Sequence, residues 1–224
     1  MPESIYTKQD ELAKLILHHC PEEGVWETAI PSLFLIHHRQ MTDKAYQVYK
    51  PCFCCIASGA KDIFLANEHL SYGPNNYLIA SMNLPVIGQV VQASSTDPYL
   101  SFKLEFSQSQ ILEVLNETDL AQPTRESAKR ALFVGDTEPI LFDVVMRLIR
   151  LLDQPKDIAF LAPLFVKEIL YKLLQGSFGT MLAQIALEGS SSYRIREVIE
   201  QITRHYEQPL RVDKLAEMAS MSVS

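Results

Sequence analysis

Tyr99-Leu100-Ser101-Phe102-Lys103-Leu104-Glu105-Phe106 alternates without a slip. Successive side chains of a strand point to opposite faces. Leu100, Phe102, Leu104 and Phe106 therefore share one side, and Ser101, Lys103 and Glu105 the other. The spacing predicts a strand with one apolar and one wet face. From residue 107 onward the apolar residues recur at three- and four-residue intervals instead, which is the helical period. The chain thus divides into a strand-rich first part and a helical second part.

Upstream, a helix is predicted over 7–20, with Leu12, Leu15 and Ile16 on one stripe and Cys20-Pro21 ending it. Strands follow at 33–39, 52–57, 62–65, 68–72, 77–81 and 86–93. Ala66-Asn67 is the tip of a hairpin, and Gly73-Pro74-Asn75-Asn76 is a turn,. Several short strands at this spacing predict a sandwich or a small barrel. Downstream, helices are predicted over 107–120 (capped by Ser107 or Ser109), 138–152, 158–175, 178–188 and 193–206,. Pro163 is expected in the first turn or two of its helix, where a missing N–H costs least. Gly189-Ser190-Ser191-Ser192 is the best linker candidate.

Composition narrows the function classes. The chain has 224 residues, 47% hydrophobic and 21% charged, an ordinary globular balance. Its net charge of −7 opposes non-specific nucleic-acid binding, which needs surplus Lys and Arg. No stretch approaches the roughly 20 apolar residues that cross a bilayer, and the first residues carry no basic, apolar leader,. No membrane partner is expected. Cys52, Cys54 and Cys55 crowd together apart from Cys20, a poor disulfide framework, and the reducing cytoplasm is the simplest compartment.

The chemical motifs are mostly absences. Cys52-x-Cys54-Cys55 lacks the second pair that a structural zinc site needs, so small buried residues are the plainer reading. His37 and His38 are adjacent and take opposite faces of a strand, and no His-x-His occurs. No Gly-x-Ser-x-Gly, Gly-x-Gly-x-x-Gly or phosphate-loop pattern is present,. No catalytic residue, metal ligand or cofactor is assigned. The end of the chain is richer. In Pro209-Leu210-Arg211-Val212-Asp213-Lys214-Leu215-Ala216-Glu217-Met218-Ala219-Ser220-Met221-Ser222-Val223-Ser224, a short helix buries Leu215, Met218 and Ala219. Met221 plugs a turn and Ser222 is a good cap for the next helix. This matches the first half of a helix-turn-helix; a short amphipathic helix with a frayed tail fits the spacing as well.

Taken together, these segments resemble the AraC/XylS-type transcription regulators. The resemblance rests on Tyr193-Arg194-Ile195 through Ser224, on Tyr72 to Ser81, on Leu84-Pro85-Val86-Ile87-Gly88-Gln89-Val90, on Pro98-Tyr99-Leu100, and on Leu151-Leu152-Asp153 with Asp157-Ile158. It rests also on Leu161-Ala162-Pro163-Leu164 with Glu168-Ile169-Leu170-Tyr171. It implies an α+β chain: a cupin-like small β-barrel that senses an effector (1–106), a helical dimerisation and linker region (107–189), and an incomplete helix-turn-helix domain (190–224). The expected partners are a small-molecule effector, a second copy in a homodimer, and DNA only once the missing C-terminal part is present. Ser222 and Ser224 would touch DNA in that completed chain, because base readout needs a helix in the major groove. Residues 193–224 hold five basic and five acidic residues, so the charge of −7 lies in 1–192. His37, Arg39, Tyr49 and Tyr77 put polar or aromatic groups on apolar strands and are the candidate ligand-binding residues; each also suits a surface or core-edge position. Two alternatives stand beside this reading. One is a metal-dependent cupin enzyme, an isomerase or dioxygenase in which His37, His38, Glu68 and His69 converge. The other is an anti-activator that forms inactive heterodimers.

Overall fold

Cys52–Ser58 forms the strand on which the architecture is hung, because it is buried on both faces for nearly its whole length. The computed structural model describes residues 5–120, 130–184, 186 and 191–223. In chain order these hold α1 (Ile5–His19), β1 (Gly24–Glu27), β2 (Leu33–His38), β3 (Ala45–Tyr49), β4 (Cys52–Ser58), β5 (Ala60–Leu65), β6 (Glu68–Tyr72), β7 (Asn76–Ala80), β8 (Leu84–Gln92) and β9 (Tyr99–Glu105). There follow α2 (Gln108–Asn116), β10 (Leu132–Asp136), α3 (Pro139–Arg150), a single 3-10 turn (Leu151–Asp153), α4 (Pro155–Gln175), α5 (Gly179–Gln184), α6 (Ser191–His205) and α7 (Val212–Ala219).

Two antiparallel sheets face each other as a barrel-like pair. One has the order β1-β2-β9-β4-β7-β10 and the other β3-β8-β5-β6. The period of two sorts the side chains of the larger sheet into two cores. Phe53, Cys55, Tyr77, Ile79, Leu100, Phe102 and Leu104 turn outward, where α1 to α5 cover them with Leu12, Ile16, Phe142, Val145, Ile149, Ile169 and others. Cys52, Cys54, Ile56, Leu78, Ala80 and Tyr99 turn inward and meet Ile63, Val86 and Val90 of the smaller sheet. The expected split of Cys52 and Cys54 from Cys55 is realised, and all four cysteines are buried thiols.

Several elements differ from expectation for identifiable reasons. The region after 107 is not wholly helical: β10 returns to the larger sheet and pairs Leu132 with Ala80 and Val134 with Leu78. A five-residue strand is too short to show a period between helices. The sheet therefore reaches past the expected boundary at 106. β1 and β3 were also missed, since most of their residues are exposed on one or both faces. α2 is shorter than 107–120 but capped as expected: the Ser107 hydroxyl accepts from Gln110 N at 3.3 Å, and Ser107 N donates to Gln110 Oε1 at 2.8 Å, a capping box. α4 begins at Pro155, so Pro163 lies inside the helix and removes the bond its N–H would make to the Ala159 carbonyl. Met218 and Met221 are exposed, leaving Ala219 as the buried residue of α7. Ser191 and Ser192 belong to α6. Gly189 and Ser190 of the expected joint, and Ser224, lie outside the described residues.

Gly59 stands at the corner where the chain passes from β4 in one sheet to β5 in the other. Its φ is +82°, and a Cβ there would lie 2.4 Å from the Gln92 carbonyl oxygen. Gly59→Ala should cost about 2 kcal/mol or more in denaturant unfolding. Gly73→Ala, whose added carbon meets nothing closer than 3.5 Å, should change stability by about 0.5 kcal/mol or less.

Candidate functional site

Between the two sheets lies a cavity of about 120 Å³. It is lined by the inward residues of five strands: Ile36 and His38 of β2, Tyr49 of β3, Cys54 of β4, Lys61 of β5, and Tyr99, Ser101 and Lys103 of β9, with Tyr72 closing the end of β6. At roughly 30 Å³ per water, it accommodates a group of a few heavy atoms. The face of β9 expected to be wet is in fact this wall. Ser101 is 2% exposed, and the side chains of Lys103 and Glu105 are 25% and 15% exposed. An alternating strand reports that one face is polar, without reporting whether that face meets bulk solvent or a cavity.

The cavity is rich in donors. Lys103 Nζ is neutralised by Glu105 Oε1 at 2.7 Å and also lies 4.2 Å from the Phe34 ring centre. Lys61 has no such partner. Its ammonium sits 5.5 Å from the Tyr49 ring centre, a weak contact for a desolvated cation, and among the described residues no carboxylate acts on it. Asp62, next in sequence, points to the other face and binds His69 Nε2 at 2.8 Å. Lys61 can reach inward because β8 offers Gly88 along its path: a Cβ at Gly88 would lie 3.2 Å from Lys61 Cε. Burial pushes the Lys61 pKa below its ordinary value, with the neighbouring cysteines opposing the shift and Lys103 adding to it. Burial also lowers the pKa of His38, and Lys61 adds to that shift, so His38 is held neutral. Burial raises the phenols of Tyr49, Tyr72 and Tyr99, so they remain protonated. The wall therefore presents one uncompensated cation and several neutral hydrogen-bond donors, a surface that suits an anionic group.

The four expected ligand residues are dispersed. Tyr49 lines the cavity. His37 faces the helical core instead, with Nδ1 3.0 Å from the Cys20 carbonyl oxygen, and its neighbour His38 takes the inward place. Tyr77 also lies in the helical core, its ring tilted against Phe53 with centroids 5.7 Å apart. Arg39 is on the outside, donating from Nη2 to the Pro21 carbonyl at 3.3 Å. Ser222 lies just beyond α7, and Ser224 lies outside the described residues. His37, His38 and His69 face three different environments, so the convergence that the metal-enzyme alternative needed does not occur. Sequence reasoning named His38 only as a ligand of the metal-enzyme alternative, and missed Lys61, Tyr72, Tyr99, Ser101 and Lys103. Their signal was present in the polar positions of β9 and in one lysine on the same face of β5 as buried Ile63.

A family model of the AraC-type transcriptional regulator N-terminus matches residues 29–181. Among solved structures, ToxT from Vibrio cholerae O395 bound to (E)-4-(8-methylnaphthalen-1-yl)but-3-enoic acid aligns with a TM-score of 0.54 at 11% identity, over 85% of this chain and 72% of that one. An apo variant of ToxT from Vibrio cholerae strain SCE256 aligns with a TM-score of 0.52 at 8% identity, over 88% and 73%. At these identities the likeness is one of fold. No curated protein matches the chain.

The unpaired cation has a measurable cost. Lys61→Met should stabilise the ligand-free protein by an amount of the order of 1 kcal/mol in urea unfolding. The sign with pH follows from the lowered pKa: the penalty is full while both folded and unfolded chains carry the charge, and it fades as pH rises through the native pKa of Lys61 toward the ordinary value of 10.5,. The advantage of the variant should shrink over that window.

Proposed function

The chain belongs to the AraC-type transcriptional regulators, matched through their N-terminal domain, and we propose that its barrel is the effector sensor, taking a small molecule that carries a carboxylate or similar anionic group. The observation that carries this reading is Lys61, a cation held in the cavity between the sheets without a counter-charge among the described residues. A protein gains nothing in stability from such a group, whereas a ligand anion would pair with it in a water-poor site where the attraction is strong. The cavity as it stands seats only the charged end, so the remainder of a larger effector must part the sheets. The ligand held by ToxT in the aligned structure is itself a carboxylic acid, which agrees in chemistry.

Three features support the wider assignment of sensing to 1–106, dimerisation and linkage to 107–189, and the start of a helix-turn-helix domain to 190–224. First, Ile195 and Ile199 of α6 pack against the same apolar cluster that contains Tyr49, Cys54, Tyr72 and Tyr99. A ligand that repacks the cavity therefore acts on a helix of the expected DNA-binding part. Second, α7 stops at Ser220 in the left-handed conformation, with Met221 N donating to the Ala216 carbonyl at 2.9 Å. That is a Schellman closure of the kind a tight helix-to-helix turn uses. Third, Phe160 and Leu164 stand 75% and 50% exposed one helical turn apart on α4, an apolar pair suited to a second copy. A cytoplasmic regulator agrees with the finding that no helix among the described residues is long and apolar enough to cross a membrane.

Calorimetry with a panel of short aliphatic and aryl carboxylic acids and their primary amides tests the sensor. Acids should bind and their amides should be weaker by at least about tenfold, the loss of a charge-assisted bond; Lys61→Met should erase the difference. Equal binding of acid and amide by the wild-type chain would sink the anionic reading. For the dimer, sedimentation should give twice the chain mass, and Phe160→Glu with Leu164→Glu should give the monomer. A wild-type monomer at high micromolar concentration would refute it.

A further inference from the structure

α1 ends in His18-His19, and the 3-10 turn between α3 and α4 carries Asp153. His19 Nε2 lies 3.4 Å and His18 Nε2 3.6 Å from one and the same oxygen, Asp153 Oδ1. One donor atom from each of the three residues lies within 4.8 Å of the others. We propose that His18, His19 and Asp153 bind a divalent first-row transition ion of the Zn2+ class, which fastens the end of α1 to the α3–α4 turn.

The distances differ from those of a simple hydrogen-bonded cluster. An N–H···O bond spans about 2.7–3.2 Å, and both imidazole contacts to Asp153 are longer. A zinc ion holds nitrogen and oxygen at about 2.0–2.2 Å, so tetrahedral donors lie roughly 3.3–3.5 Å from one another. The two imidazole–carboxylate separations match that edge to within tenths of an ångström; the three donors lie within 4.8 Å of one another, so the exposed ring of His18 turns toward His19 for both nitrogens to reach one ion. His19 adds an independent sign: its Nε2 is shut off from solvent and has no hydrogen-bond partner, yet it is aimed at the carboxylate. Such a buried, unsatisfied nitrogen calls for an explanation, and a bound cation supplies one.

The donor chemistry sets the class of ion. Two imidazoles and one carboxylate suit Zn2+, Co2+ or Ni2+, whereas Mg2+ and Ca2+ demand oxygen shells. The ion-pair partners of Asp153 among the described residues are these two histidines alone, so its charge is not consumed by a lysine or arginine. The His18 side chain is 70% exposed and that of Asp153 48%, which leaves room for water to complete the coordination. The ion would bridge the first helix to the helical layer, two segments more than a hundred residues apart in sequence, and would stabilise the fold by mass action. This proposal is independent of the ligand reading above, because the cluster lies on the helical side of the larger sheet.

The test uses the full chain freed of metal by a chelator and titrated with zinc chloride by calorimetry, with thermal melting in parallel. The expected result is one Zn2+ per chain and a raised Tm, with no response to Mg2+ at the same concentration. His18→Ala and Asp153→Asn should each weaken binding by at least about tenfold, since even outer-shell changes cost that much. Both positions are exposed enough for the variants to fold, as metal-free melting will verify. His69→Ala, on the exposed side of β6, should leave the binding intact. Failure to bind one equivalent at tens of micromolar Zn2+ overturns the proposal. So does binding that survives both His18→Ala and Asp153→Asn, or binding that is lost with His69→Ala.

Discussion

The antiparallel pairing of β4 with β9 is the constraint on which everything else rests. Both strands are covered on both faces, so their register assigns each residue to one of two unlike environments. Phe53 opposite Leu104, and Phe102 opposite Cys55, belong to the helical core; Cys54 opposite Lys103 belongs to the space between the sheets. A slip of one residue would exchange these sets and drive Lys103 under the helices and Phe102 into the cavity. The aromatic bulk on one side and the cysteines and polar groups on the other make that slip expensive.

The interior between the sheets is built against its own stability. A core composed for packing alone would not hold Lys61 without a carboxylate, nor leave Gly88 bare for its stem to pass. Natural sequences keep such local inconsistencies mainly where a function needs them. The neutral phenols and His38 have the same sense: held in uncharged forms by burial, they offer hydrogen bonds while leaving the cationic potential of Lys61 uncancelled. The same apolar cluster continues into Ile195 and Ile199 of α6, so the interior between the sheets and α6 share one packed surface. In a densely packed cluster a change of volume at one wall is felt at the other.

The two sides of the larger sheet thus have different chemistry. The barrel side is cationic and lined by donors. The helical side is apolar, and at its rim the end of α1 meets the α3–α4 turn through two imidazoles and a carboxylate. That rim joins segments that are remote in sequence, which is where a cross-link, covalent or metallic, constrains the unfolded chain most.

The period of the apolar residues, taken by itself, determined the strand-to-helix change near residue 107, the stripes of the long helices, the hairpin at Ala66-Asn67 and the separation of Cys52 and Cys54 from Cys55. These are local properties, set by which side chains share a face. What a face meets is not local. The polar face of Tyr99–Glu105 read as wet, and only the second sheet, brought opposite it, turned it into a cavity wall. His37 and His38 were separable as two faces of one strand, but only the placement of α1 decided that His37 would be covered and His38 would look inward. Lys61 was one lysine among many until the smaller sheet folded it away from every carboxylate among the described residues, and His18, His19 and Asp153 are adjacent only because α1 packs beside the α3–α4 turn. Periodicity orders residues along one element; the free energy of burying or pairing them depends on what the rest of the chain brings to that element.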